Sequence, residues 1–202
     1  MEYMKGVPDK FFDLAIVDPP YMDNTDNLDN YLNNMRKHDY KLTTLQTPPR
    51  KEYFNELFRV SKNQIVWGGN YFIDLWQTPC RGFIFWYKQN PVNNFADGEF
   101  AWTSFDVNAK CFMYRYYGNL EGTTSASNKI HPTQKPIDLY KWLLKNYAKE
   151  GMKILDTHLG SGSIAIACHD YKFELTATEI DKDYYDAACK RFNNHIAQTT
   201  LF

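Results

Sequence analysis

The first strongly hydrophobic segment of the chain spans residues 11–17, which read FFDLAIV and end at Asp18. A short run of this kind is typical of a buried strand. Residues 22–47 are polar and rich in Asn, Asp and Lys, which predicts a loop insertion. Residues 50–60 then carry apolar side chains at helical spacing, which predicts an amphipathic helix.

Further short apolar runs predict strands along the middle of the chain, at residues 64–67, 82–87, 100–104 and 111–116. A second, polar insertion is expected at about 105–135, and Pro136 opens a predicted helix that extends to about residue 148. The remainder predicts a strand at 153–155, a helix at 163–171, a strand at 175–178 and a helix at 181–197. Strands alternating with helices indicate a mostly parallel sheet with helices on both faces. We therefore expect a single α/β, Rossmann-like domain over residues 1–202.

Composition narrows the class of protein. The four cysteines form no CxxC pair, no apolar run approaches the roughly 18 residues of a membrane span, and no signal peptide opens the chain. We therefore expect no zinc site, no disulfide framework and a cytoplasmic location. The net charge is −1, so any surface that binds nucleic acid has to be a local basic patch.

A glycine-rich loop lies at the predicted turn from strand to helix at residues 156–162, which read DTHLGSG. Glycines there allow a ligand to approach the backbone, and the helix start presents free N–H groups. The third glycine of a dinucleotide fingerprint is absent, which disfavours a pyrophosphate. Glu179, at the tip of the next strand, stands where ribose hydroxyls are bound. Together they favour an adenosine ligand without phosphates, S-adenosylmethionine rather than NAD.

The tetrapeptide Asp18-Pro19-Pro20-Tyr21 directly follows the first buried strand. Two prolines end a strand and hold the backbone extended, which exposes the Asp18 carboxylate and the Pro19 carbonyl at the carboxyl edge of the sheet. A strand-terminating turn with a capping aspartate is the simpler explanation of each residue taken singly. The ordered tetrapeptide is much rarer.

These residues resemble the motifs of the amino-group DNA methyltransferases, which act on adenine N6 or cytosine N4. Residues 18–21 resemble the catalytic motif, residues 131–136 (HPTQKP) the segment that precedes the cofactor motifs, and residues 156–162 and 178–181 the two cofactor motifs. The catalytic motif comes first, which is the order of the circularly permuted β-class. An acidic first residue in the tetrapeptide is more typical of the adenine enzymes.

The resemblance implies methyl transfer from S-adenosylmethionine to the exocyclic amino group of a flipped DNA base, without a metal. Asp18, Pro19, Pro20 and Tyr21 would form the catalytic site, with Tyr21 stacked on the base. The residues implied in cofactor binding come from three segments: Asp18, His131, Thr133, Gln134, Lys135, Asp156, Thr157, Leu159, Gly160, Ser161, Gly162, Glu179 and Ile180. From the residues alone, the basic cluster Arg36, Lys37 and Lys41 is the candidate phosphate contact, although such a cluster is more often a solvated surface.

Several alternatives stay open at this level. The target could be cytosine N4 or an RNA amino group, and a degenerate fold that binds cofactor or DNA without turnover is a different class of function. The family pattern also includes an acidic residue on a strand before the catalytic one, where only Glu2 is available. Because loops 22–47 and 105–130 are the only candidates for target recognition, a homodimer or a separate specificity partner is expected to contribute.

Overall fold

The computed structural model describes residues 1–20, 47–77, 80–89, 96–115 and 129–199. Within these ranges the helices are α1 (Glu2–Lys5), α2 (Lys51–Val60), α3 (Ile137–Tyr147), α4 (Ser163–Asp170) and α5 (Lys182–Thr199). The strands are β1 (Phe12–Val17), β2 (Ser61–Trp67), β3 (Phe83–Tyr87), β4 (Gly98–Thr103), β5 (Lys110–Met113), β6 (Lys153–Asp156) and β7 (Glu174–Ala177). Two short 3-10 helices, Gly69–Tyr71 and Ile73–Trp76, follow β2.

The seven strands form one sheet in the order β5-β3-β4-β2-β1-β6-β7. β1 pairs in parallel with β2 and β6, and β6 pairs in parallel with β7. β4 is antiparallel to both of its neighbours, β2 and β3, whereas β3 and β5 are parallel. Of the strands described, β4 alone runs against the rest, so the sheet is mostly parallel.

Side chains of β1 alternate between two hydrophobic cores, one on each face of the sheet. Leu14 and Ile16 belong to the core that α3 and α4 cover, whereas Ala15 and Val17 belong to the core that α2 covers. All four side chains are essentially inaccessible to solvent. Because a strand buried on both faces must be apolar throughout, this explains the continuous hydrophobic run that predicted it.

The predicted elements are confirmed to within a few residues, and the α/β fold with helices on both faces is confirmed as well. Two details differ. Helix α1 was not predicted, and Glu2 begins that helix rather than lying on a strand. The stretch expected as an insertion at 105–135 contains strand β5, which was itself predicted at 111–116. Residues 22–46 of the first predicted insertion lie outside the described ranges.

The topology brings the ends of four strands to one edge of the sheet. β1, β2, β6 and β7 run in the same direction and end at Val17, Trp67, Asp156 and Ala177. Since β4 is reversed, its first residues, and not its last, reach the same edge. In open α/β sheets this carboxyl edge is where ligands bind.

Gly68 and Gly69, at the end of β2, are explained by local geometry. Gly68 has φ +65°, a left-handed conformation that non-glycine residues rarely adopt. A Cβ atom on Gly69 would overlap the backbone and Cβ of Trp102 on β4. A tight turn packed against β4 therefore accounts for both glycines.

We predict that Gly69→Ala lowers the free energy of unfolding by about 1–3 kcal/mol, because the added methyl group overpacks the contact with Trp102. Gly6→Ala is the matched control, since a Cβ there lies 3.8 Å from its nearest neighbour, the Tyr3 carbonyl oxygen. It should change stability by less than about 1 kcal/mol. Urea unfolding of both variants measures the difference. Equal stabilities would contradict the close approach of β2 and β4.

Candidate active site

Asp18 stands immediately after β1, at the carboxyl edge of the sheet, and is followed by the buried Pro19. Its Oδ2 atom accepts a hydrogen bond of 2.6 Å from Lys135 Nζ. Its Oδ1 atom is buried and has no hydrogen-bond partner among the residues that the structure describes. Burial raises the pKa of Asp18 although Lys135 lies against it. One oxygen is thus paired, and the other is a buried acceptor without a donor among the described residues.

Lys135 connects the two halves of the candidate site. Its side chain is 3% exposed, and its Nζ atom lies 2.6 Å from Asp18 Oδ2, 2.9 Å from Glu99 Oε2 and 5.3 Å from the centroid of the Trp67 ring. Its backbone carbonyl accepts a hydrogen bond of 2.7 Å from Ser163 Oγ, at the start of α4. The segment of residues 131–136 therefore joins Asp18 to the start of α4, directly after the glycine loop.

Glu99 is a member of this cluster that the sequence analysis missed. It is the second residue of β4, and its Oε1 atom accepts a hydrogen bond of 2.5 Å from Lys88 Nζ. Lys88 and Lys135 together hold the pKa of Glu99 at about 2, against the opposing effect of burial. The sequence signal for Glu99 is a charged residue on the same strand face as the buried Ala101 and Thr103. The strand predicted at 100–104 began one residue too late to include Glu99.

The glycine loop and the tip of β7 are joined by backbone hydrogen bonds. Gly160 N donates to Glu179 Oε2 at 2.8 Å, and Asp181 N donates to Glu179 Oε1 at 3.1 Å. Gly160 and Gly162 have φ values of +52° and +72°, which explains why glycine occupies both positions. The Glu179 carboxylate is therefore fixed beside the loop, with lone pairs left for further donors.

His131 packs over this loop. Its ring lies 4.4 Å from the Tyr184 ring, centroid to centroid, and about 3.7 Å from the position that a Cβ on Gly160 would occupy. Its Nδ1 accepts from the backbone N–H of Thr133 at 3.3 Å, and burial lowers the pKa of His131 to about 4. The imidazole is neutral at physiological pH. Gln134, also buried, accepts from Ile130 N at 3.1 Å and braces the same segment.

Arg191 of α5 supports the glycine loop through its guanidinium group. Its Nη1 atom donates to the Ser161 carbonyl at 2.8 Å and to Ser163 Oγ at 2.9 Å. Ser161 and Ser163 are buried, and their hydroxyl oxygens lie 3.2 Å apart. His131 and Arg191 thus both contact the glycine loop. Arg191 is a second residue that the sequence analysis did not identify.

Asp156 is buried under the loop and accepts a hydrogen bond of 2.9 Å from His158 N. Burial raises its pKa to about 8, and the charges of Asp18 and Glu179 add to the rise. Its hydrogen bond to His158 N shapes the turn. Leu159 completes the turn, because its N–H donates to the Thr178 carbonyl at 3.0 Å.

Not every predicted residue points into this cluster. The Thr157 hydroxyl bonds to Tyr53 of α2 at 2.6 Å, and Thr157 lines a cavity of about 580 Å³ with His158, Tyr53 and residues 47–50. The Ile180 side chain is 97% exposed. Tyr21, Arg36, Lys37 and Lys41 lie outside the described residues. Trp86 and Trp102, weak candidates for base stacking, are buried in the cores.

A membrane-spanning helix and a metal-binding cluster are both absent from the described ranges. No helix there has the length and hydropathy needed to cross a membrane. No group of three or more His, Cys, Asp or Glu side chains in those ranges is arranged to hold a metal ion.

Comparisons with known proteins identify the family and the fold of the chain. The family model N6_N4_Mtase, described as DNA methylase, matches residues 12–190. The type II methyltransferase M.HpaI of Haemophilus parainfluenzae is 32% identical over 68 residues, which is 34% of this chain and 22% of that protein. The chain therefore aligns with only about a fifth of the length of this curated relative.

Solved structures share the fold. The M1.HpyAVI–SAM complex superposes with a TM-score of 0.58 at 20% identity, and the match covers 94% of this chain and 91% of that one. The PvuII DNA methyltransferase, which is cytosine-N4-specific, superposes with a TM-score of 0.62 at 12% identity and coverages of 94% and 82%. Since the family model matches most of its residues, the chain belongs to the DNA methylase family of amino-group methyltransferases.

Proposed function

We propose that this protein transfers a methyl group from S-adenosylmethionine to the exocyclic amino group of a flipped DNA base, with adenine N6 as the favoured target. The observation that carries the proposal is the environment of Asp18. Its Oδ2 atom is held by Lys135, and its buried Oδ1 atom has no partner among the described residues. The Pro19 carbonyl, on the next residue of the chain, would be the second acceptor for the two N–H bonds of an amino group.

The residues beside the loop fit S-adenosylmethionine. Its ribose needs a carboxylate that accepts from two hydroxyls, and Glu179 is fixed at the loop by Gly160 N and Asp181 N. Its adenosine carries no phosphate, which agrees with a loop of two glycines. His131, Thr133, Gln134 and Lys135 would surround the amino-acid end, and Ser161, Gly162, Asp156 and Leu159 would complete the pocket.

The chemistry needs orientation more than activation by a strong base. When bound, the cofactor supplies a methyl group on a sulfonium sulfur, and transfer forms an N–C bond while the C–S electron pair stays on sulfur. Asp18 Oδ1 and the Pro19 carbonyl fix the amino nitrogen and direct its lone pair along the line of attack. The raised pKa of Asp18 suits its carboxylate to accept the proton that the amino group then loses.

The choice of adenine rests on the acidic first residue of the tetrapeptide, and the fold similarity to the cytosine-N4-specific PvuII enzyme keeps cytosine as the second candidate. We also propose the β-class, circularly permuted order, because the catalytic strand β1 precedes the cofactor strand β6 in the chain. DNA is the proposed partner, with Tyr21 stacked on the flipped base and Arg36, Lys37 and Lys41 on phosphate. A homodimer or separate specificity subunit and a cytoplasmic location complete the proposal.

The proposed target is tested by incubating the protein with S-adenosylmethionine labelled in its methyl group and with duplex DNA, single-stranded DNA or RNA. Mass spectrometry of the digested nucleosides then identifies the product. We expect N6-methyl-2′-deoxyadenosine from DNA. N4-methyl-2′-deoxycytidine would transfer the proposal to the other base. Cofactor binding by calorimetry without any labelled nucleoside would instead show a binding protein.

Asp18→Asn should lower kcat by about 100-fold or more, because an amide oxygen accepts the amino N–H more weakly than a carboxylate and cannot take up the proton that the amino group loses. Cofactor affinity should change by less than about tenfold, since Glu179 and the loop stay intact. Asp106→Asn removes the same charge at a side chain that is 89% exposed and serves as the control. Single-turnover methylation and calorimetric titration separate the two effects. Full activity of Asp18→Asn contradicts the assignment.

Glu179→Ala should weaken the binding of S-adenosylmethionine by about 10- to 100-fold, the loss expected for charge-assisted hydrogen bonds. The matched control is Glu174→Ala on β7, the strand that precedes Glu179; its carboxylate is 65% exposed and 3.9 Å from its partner Lys153. Calorimetry on both variants gives the dissociation constants. If both variants bind equally well, the ribose site lies elsewhere.

A further inference from the structure

We propose that Glu99 is a positioning residue for methyl transfer: it holds Lys135 on one oxygen of Asp18 and keeps the other oxygen free for the amino group of the base. The inference rests on the proposed function and extends it to a residue on the opposite half of the sheet. Glu99 acts through Lys135 and touches neither base nor cofactor in this scheme.

Strand direction is what brings Glu99 to the site. β4 runs against β2 and β3, so Glu99, near its start, lies at the edge where β1, β2 and β6 end. The neighbouring Gly98 permits a close approach to β3, because a Cβ there would overlap the Trp86 carbonyl and the Phe85 ring. This close packing fixes the backbone from which the Glu99 carboxylate reaches inward.

The contacts make Glu99 the second carboxylate of a shared cation. Lys135 Nζ lies 2.9 Å from Glu99 Oε2 and 2.6 Å from Asp18 Oδ2, and Lys88 Nζ holds the other Glu99 oxygen at 2.5 Å. The indole rings of Trp67 and Trp86 lie beneath the two ammonium groups. The partly buried cluster holds two carboxylates and two lysines, so its formal charges balance. Because Lys135 is shared between Asp18 and Glu99, its charge does not neutralise Asp18 alone.

Removal of the charge of Glu99 or of Lys88 should shift the pKa of Asp18, in opposite directions. The groups that act on the Asp18 carboxyl come from five parts of the fold: Lys135, Glu99 on β4, Lys88 after β3, Asp156 on β6 and Tyr140 on α3. Glu99 raises the pKa of Asp18, whereas Lys88 and Lys135 lower it. Without Glu99, Lys135 would pair with Asp18 alone, which stabilises the charged carboxylate and makes it a weaker proton acceptor.

The experiment measures kcat against pH for wild type, Glu99→Gln and Lys88→Met. Glu99→Gln should lower kcat about tenfold at pH 8 and shift the acidic limb of the profile down by roughly one pH unit. Lys88→Met should shift that limb upward, because it removes a positive charge that favours ionised Asp18. Opposite shifts are not expected from general damage to the fold. Asp97→Asn, an exposed charge two residues from Glu99, should leave the limb in place.

A direct titration separates this inference from the proposed function. The carboxyl carbon of Asp18 is followed by NMR in the full chain, without cofactor or DNA, and assigned with Asp18→Asn. A lower midpoint in Glu99→Gln and a higher one in Lys88→Met support the arrangement even if no methyl transfer is found. Unchanged midpoints in folded variants, as judged by circular dichroism, overturn it. The inference is also overturned if the wild type is active and both variants keep its dependence of kcat on pH.

Discussion

The ion pair between Asp18 and Lys135 is the interaction on which the candidate site depends. The two residues are 117 positions apart in the chain, and their charged atoms lie 2.6 Å apart in a largely buried setting. Removing a carboxylate from water costs several kcal/mol unless charge and hydrogen bonds compensate. Lys135 provides that compensation for one oxygen, and its carbonyl is held by Ser163 at the start of α4. The position of Asp18 is thus coupled to the loop that precedes α4.

The same logic explains why the site needs the reversed strand. A parallel strand in the place of β4 would bring its last residues, not Gly98 and Glu99, to the carboxyl edge. The second carboxylate lets Lys135 remain charged while it is shared, because the positive charge is balanced from both sides. The direction of one strand therefore decides which side chains meet at Asp18.

Most of the fold could be predicted from the sequence because its signals are local. The strand before Asp18, the helix after Pro136 and the alternating final third follow from hydrophobic period and proline placement. Glu99 could not be found in this way, since its role depends on a non-local antiparallel pairing with β3. Arg191 was missed because its contacts are also non-local: Ser161 and Ser163 lie 30 and 28 residues before it in the chain. The roles of Tyr21 and the basic cluster stay predictions.

The compensated charges also bear on how DNA would be held. A protein of net charge −1 must place cations for phosphate locally. Lys88 and Lys135 lie close to the site, yet their charges are balanced by Glu99 and Asp18, so they shape the field inside the cleft rather than attract the backbone of DNA. Phosphate contacts therefore have to come from other basic side chains, such as the proposed cluster of Arg36, Lys37 and Lys41, or from a second subunit. The buried lysines of the cleft are screened by salt less than exposed lysines and arginines on a DNA-binding surface. The interactions in the base pocket and the binding of phosphate can therefore differ in their dependence on salt.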